Sequence, residues 1–226
     1  MRPRGDQYSG SVTETRAIGE ILRDAAAGDL GHVLAEERAG YDPIGSAERL
    51  FALLERRGIA YVLVGGIAML QYVAGRNTEH IDLIVASSAV RLVSDLVILS
   101  RDKNYGRASF EGIQVDLLFT ANKLFDSVRA RHSQALTYGT THVVMATPEG
   151  LLLLKLFALP SLYRQGNTHR ASIYESDVDG LLALGSVDLD SVWTQLRPHL
   201  LETDIDELRK IVSEVLARKS RFGGSV

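Results

Sequence analysis

The chain contains no cysteine. That removes disulfides, thiolate catalysis and cysteine-ligated zinc together, and it fits a reducing compartment, so cytoplasm is the expected location. Long apolar runs are also missing. The longest, Tyr61 to Leu70 and Leu151 to Pro160, fall short of the roughly 20 residues that a bilayer requires, and Lys155 interrupts the second, so no membrane partner is expected. No apolar stretch follows Met1-Arg2-Pro3-Arg4-Gly5-Asp6, so no signal peptide is expected. Charge of one sign is lacking as well: 25 Lys plus Arg stand against 28 Asp plus Glu, a net charge of −3. No global basic field draws nucleic acid, and any such contact must come from a local patch. Also absent are a Walker A run, G-x-G-x-x-G, H-E-x-x-H and G-x-S-x-G, which excludes several large enzyme classes.

What is present describes an ordinary globular chain of 226 residues, 46% hydrophobic and 23% charged. The pattern divides it into a variable, partly helical leader over 1–43, an α/β core over 44–146 and a helical subdomain over 147–226. In the leader, Glu14 to Arg38 has loose helical spacing. Ser46 reads as an N-cap, followed by an apolar stripe at Leu50, Leu53 and Leu54 that stops at Gly58. Ile59 to Val64 is β-branched and aromatic, ends at Gly65-Gly66, and gives way to helical character at Ile67. Ile81 to Ala86 reads as a buried strand, Val90 to Leu99 as a helix, and Gly112 to Phe119 as a strand that presents Gln114 and Asp116 on one face. A helix over Asn122 to Arg131 and strands near Ala135–Tyr138 and His142–Met145 follow. Thr147-Pro148 then starts a helix through about Leu159, and three more are expected near Ile173–Leu184, Leu189–Leu200 and Ile205–Lys219.

Several residues could carry chemistry. Gly65 and Gly66, between a strand and a helix, allow backbone N–H groups to approach an anion; the alternative is a plain strand-to-helix turn. Asp82 and Asp116 interrupt otherwise buried strands, where a carboxylate must be paired, solvated in a cleft or bound to metal. Lys155 interrupts an apolar helix face, so it either snorkels to solvent or points into a cleft between the two halves. Arg164, His169 and Arg170, with Tyr163 and Tyr174 nearby, form either a phosphate-facing rim or a solvated loop. Arg129, Arg131 and His132 are a second small basic group. The last helix, carrying Ile205, Leu208, Ile211, Val212 and Val215, reads as a packed amphipathic element.

Three blocks taken together are more specific: Val62-Leu63-Val64-Gly65-Gly66-Ile67-Ala68, Arg76-Asn77-Thr78-Glu79-His80-Ile81-Asp82, and Val115-Asp116-Leu117-Leu118. They resemble the nucleotidyltransferase superfamily related to DNA polymerase β, in particular the branch of AbiEii-type toxins and minimal nucleotidyltransferases. The resemblance covers about Ser46 to Leu184 and includes Lys155 and Asp177. It implies a short mixed sheet with flanking helices, closed over by a C-terminal helical subdomain. It also implies transfer of a nucleoside monophosphate from a nucleoside triphosphate to RNA, a tRNA end among the candidates, or to a protein hydroxyl. Mg²⁺ or Mn²⁺ would be held by His80, Asp82 and Asp116, and the nucleotide by Gly65, Gly66, Arg76, Thr78 and Lys155. Asp177 would pair with Lys155 or orient the attacking group, unless it is simply a charge at a helix N-terminus. A toxin–antitoxin role would add an antitoxin partner, and a homo-oligomer is a further expectation. The chain departs from the family in one place: His80 stands where its first metal-binding Asp is expected. Imidazole offers one neutral nitrogen, so the site either works weakly, with a preference for Mn²⁺, or is degenerate and only binds a nucleotide or a partner.

Overall fold

The computed structural model describes residues 43–73, 80–138 and 141–222. Helix α1 (Pro43–Arg56) leads into β1 (Tyr61–Val64), short α2 (Gly65–Leu70) and β2 (His80–Val85). A 3₁₀ turn (Ala89–Leu92) precedes β3 (Val97–Arg101), β4 (Tyr105–Phe110) and β5 (Ile113–Phe119). Then come α3 (Lys123–Arg131), β6 (Ser133–Tyr138), β7 (Thr141–Ala146) and α4 (Pro148–Arg164). The chain closes with α5 (Thr168–Ala183), α6 (Leu189–Leu196), a 3₁₀ turn (Arg197–His199) and α7 (Glu202–Phe222). This is the expected order, a mixed α/β half followed by a helical half. The leader lies outside the described residues, and no helix among those described is long and apolar enough to cross a membrane.

The seven strands form one sheet in the order β3-β4-β5-β2-β1-β7-β6. Pairing is parallel between β2 and β5 and between β1 and β7, and antiparallel elsewhere. β5 alternates: Ile113, Val115, Leu117 and Phe119 are buried, while Gln114, Asp116 and Leu118 are partly open on the other face. β1 is buried along its whole length, as its apolar run requires. Thr147 caps α4 as expected, its Oγ1 accepting from the Gly150 N–H at 3.3 Å, with Pro148 in the first turn.

Three expectations need correction. Ser46 is not a cap: α1 begins at Pro43, and the buried Ser46 Oγ accepts from Arg49 Nη2 at 2.8 Å. Val90 to Leu99 is not a helix but a 3₁₀ turn followed by edge strand β3, whose five residues are all exposed and which pairs with β4 around a register shift between Ile98 and Ser100. Helix α4 does not stop near Leu159 but continues through Pro160 to Arg164, because packing against α5, α6 and α7 outweighs the roughly 3 kcal/mol that an interior proline costs.

Candidate active site

Strand register builds the site. On adjacent strands, Arg107 pairs with Asp116, Asp116 with Asp82, and Asp82 with Val64, so one row crosses β4, β5, β2 and β1. Both carboxylates occupy the face opposite to Val115 and Leu117, as alternation predicts. His80 lies two residues before Asp82 and shares its face. Its Nε2 is 3.4 Å from Asp82 Oδ2 and 3.8 Å from Asp116 Oδ2.

Each carboxylate turns Oδ2 to the cluster, and Asp116 commits its other oxygen to support. Asp116 Oδ1 accepts from Arg107 Nε at 3.0 Å and from Gln114 Nε2 at 3.1 Å, which orients Oδ2 toward His80. Asp82 lies beneath Gly65, the first residue after β1, which has φ +65° and leaves no room for a side chain. A glycine at position 65 is therefore required sterically. The helix behind it has six residues, so it contributes little dipole.

Ligand atoms of His80, Asp82 and Asp116 all lie within 4.8 Å of one another. Two ligands of one divalent ion at ordinary bond lengths stand about 3–3.5 Å apart, so a small contraction lets the three share an ion. Two oxygens and one imidazole nitrogen suit Mn²⁺ or Zn²⁺ and are a poorer match for Mg²⁺ than three carboxylates. In the metal-free chain His80 is held above its ordinary pKa, chiefly by its hydrogen bond to Asp82. Burial opposes this, the charges of Asp82 and Asp116 add to it, and Arg170 works against it.

The helical half supplies the opposite wall. Lys155 on α4 does not snorkel: it is buried, its Nζ 2.9 Å from Asp177 Oδ2 and 3.9 Å from the centre of the Tyr174 ring. Asp177 sits buried on α5 behind Lys155, as the ion-pair partner that the resemblance implied and not as a charge at the helix start. Arg170 stacks over the other residue of this group, Tyr174, at 5.7 Å. Burial weakens the charge on its guanidinium, but Tyr174, Asp82 and Asp116 more than make up for it.

Between the walls lies a cleft of about 1090 Å³ that reaches from Val64, Gly65 and the two Asp residues to Leu200 and Leu201. Of the basic rim read from the sequence, Arg164, Arg170 and Tyr174 line it, while Arg164 pairs with Asp204 at 2.8 Å. Tyr163 donates to Glu175 outside it, and His169 is exposed. The second basic group closes the end of α3, with Arg129 on Asp126 and His132 on Gln195. Arg76 and Thr78 lie outside the described residues. Sequence reasoning missed Arg107 and Tyr105, which sit in the stretch between Leu99 and Gly112 to which it assigned no element; the alternation of Tyr105, Arg107 and Ser109 with Ala108 and Phe110 was the available signal.

No protein-family model matches the chain, and no curated protein is similar to it in sequence. Among solved structures it is similar to an antigenic nucleotidyltransferase-like protein from Paracoccidioides brasiliensis, with 16% identity over 78% of this chain and 88% of that one and a TM-score of 0.49. It is also similar to ANT(2")-Ia in complex with adenylyl-2"-tobramycin, with 12% identity over 73% of this chain and 94% of that one and a TM-score of 0.46.

Proposed function

We propose that the cleft transfers a nucleoside monophosphate from a nucleoside triphosphate to a hydroxyl acceptor. In this step the acceptor oxygen bonds to the α-phosphorus, the bond from that phosphorus to the bridging oxygen breaks, pyrophosphate leaves, and the hydroxyl proton passes to a base or to solvent. One observation carries the reading: ligand atoms of His80, Asp82 and Asp116 converge within 4.8 Å, and the two carboxylates line a cleft large enough for a nucleotide. A divalent ion held there, Mg²⁺ or Mn²⁺, would neutralise charge on the triphosphate and on the leaving pyrophosphate.

The chain's own residues divide the remaining work between the α/β half, 44–146, and the helical half, 147–226. Gly65 and Gly66 let the backbone approach the phosphates beside Asp82. Arg170, across the cleft, faces the same charge, and Arg107 keeps Asp116 oriented. Lys155 contributes a cation toward the triphosphate, and Asp177 acts through it as a positioning residue. The resemblance in sequence extends the nucleotide contacts to Arg76 and Thr78, and it alone points to RNA, including a tRNA end, or a protein hydroxyl as acceptor and to a toxin–antitoxin component with an antitoxin partner.

A second reading, a nucleotide-binding module without catalysis, is favoured by one observation. An imidazolium at His80, with Arg107 and Arg170 close by, balances both carboxylates without any metal. Incubation with each of the four α-labelled nucleoside triphosphates, total RNA or protein, and Mg²⁺ or Mn²⁺ separates the two. Transfer of label with pyrophosphate release, lost in Asp82→Asn and Asp116→Asn, is the expected result. No release above the Asp82→Asn background with either metal, alongside metal-independent thermal stabilisation by triphosphates, overturns catalysis in favour of binding. His80→Asp should raise Mg²⁺ affinity and transfer; no gain in either places His80 outside the metal shell.

A further inference from the structure

The cleft does not end at the charged row. Tyr105 lies two residues before Arg107 on β4, on the same face, and opens an aromatic wall along the cleft. Its ring meets that of Phe125 on α3 edge-on, with centroids 5.4 Å apart. Phe125 meets Phe157 on α4 at 5.9 Å and 90°, and Phe157 meets His199 in the 3₁₀ turn at 6.5 Å and 88°. Such edge-to-face contacts hold each ring in place.

This wall is not closed over. Phe125 is buried, but Tyr105 is 45% exposed and Leu201, at the far end of the cleft, is 67% exposed. The Tyr105 phenol stays protonated, since burial raises its pKa with help from Asp102 and Tyr174, while burial lowers that of His199 and keeps the imidazole neutral. Uncharged rings therefore face the solvent of the cleft beyond its charged row. A wall of this kind takes a flat, uncharged aromatic group.

We propose that this aromatic wall, with Tyr105 as its exposed face, receives the nucleobase of the donor nucleoside triphosphate. The inference rests on the nucleotidyl-transfer reading above. Spacing supports it: Tyr105 and Arg107 are separated by about 7 Å along the strand. Arg107 holds Asp116 at 3.0 Å, so the wall begins about one ribose away from the carboxylate row where the α-phosphate would lie. A base is tethered to its phosphate over that length, whereas an aromatic ring on an acceptor is under no such constraint.

Isothermal titration in Mg²⁺ and in Mn²⁺ buffer tests this by comparing inorganic tripolyphosphate with ATP, GTP, CTP and UTP. At least one nucleoside triphosphate should bind more tightly than tripolyphosphate by about fivefold or more, the low end of what stacking one base contributes. That ratio should fall toward one in Tyr105→Ala and persist in Tyr105→Phe. Tyr105→Leu keeps bulk against Phe125 without a ring face and should behave as Tyr105→Ala does. Equal binding of nucleotide and tripolyphosphate by the unmodified chain overturns the base site and leaves the triphosphate site standing, as does a ratio unchanged in Tyr105→Ala and Tyr105→Leu. Binding of neither probe removes the nucleotide reading, and this inference with it.

Discussion

A Cβ atom on Gly65 would lie 1.8 Å from Asp82 Oδ2, inside the carboxylate itself. With φ at +65°, the same position also disfavours any side chain through its backbone, at a cost of about 1–2 kcal/mol. Turn and carboxylate are thus one construction, the strand end shaped around the acid beside it.

Gly65→Ala should therefore show two defects at once. Urea unfolding should report a loss of at least about 1–2 kcal/mol, from the backbone alone. Mn²⁺ affinity, read by titration calorimetry, should fall as well, because Asp82 must swing away. A destabilised variant with unchanged Mn²⁺ affinity would separate the turn from the site.

Asp82→Asn and Asp116→Asn each remove an anionic oxygen from the cluster. Each should weaken Mn²⁺ binding by more than about tenfold, at least what supporting residues of a metal site contribute. Full affinity in either variant would remove that residue from the ligand set.

The Lys155–Asp177 pair behaves differently, because both partners are almost fully buried. Removing one leaves an uncompensated charge, which costs about 3–5 kcal/mol, so Asp177→Ala should be severely destabilised in urea. The double variant Lys155→Met, Asp177→Leu should recover most of that loss. If Asp177→Ala unfolds at the unmodified midpoint, the pair is not buried in solution.

Acidity links to the site through His80. Its pKa lies above the ordinary value of about 6.5, so the stability it adds to the metal-free chain is complete below that pH and is lost as pH rises through the raised pKa. Divalent-ion binding runs the other way, strengthening across the same interval as Nε2 gives up its proton. His80→Asn should flatten both dependences, as followed by thermal unfolding and Mn²⁺ titration at pH 5.5 to 9. A Mn²⁺ affinity in the unmodified chain that ignores pH over that range would exclude His80 as a ligand.

Where periodicity and burial agreed, the chain was readable. β5 alternates so cleanly that Asp116 could be assigned to a face, and the Thr147-Pro148 start of α4 is as written. The hairpin of β3 and β4 was hidden for a physical reason. Val90, Val93 and Leu96 recur at three-residue intervals and imitate a helix, yet they belong to turns, and β3 is exposed throughout, so no alternation marks it. Missing that hairpin meant missing Arg107 and Tyr105, which only strand pairing brings beside Asp116 and Phe125. From the residues alone Lys155 was legible only as an anomaly; the family resemblance paired it with Asp177, which sits on the next helix and meets it through tertiary packing.

The parallel pairing of β2 with β5 carries a consequence for assembly. The two carboxylates come together through a non-local closure, because the chain between β2 and β5 carries the β3–β4 hairpin, which must be spanned before β5 pairs with β2. Two like charges are thereby brought side by side, and Arg107, opposite Asp116 on β4, meets one of them. The three-residue cluster therefore depends on a long-range pairing, and a chain without the β2–β5 ladder has no such site.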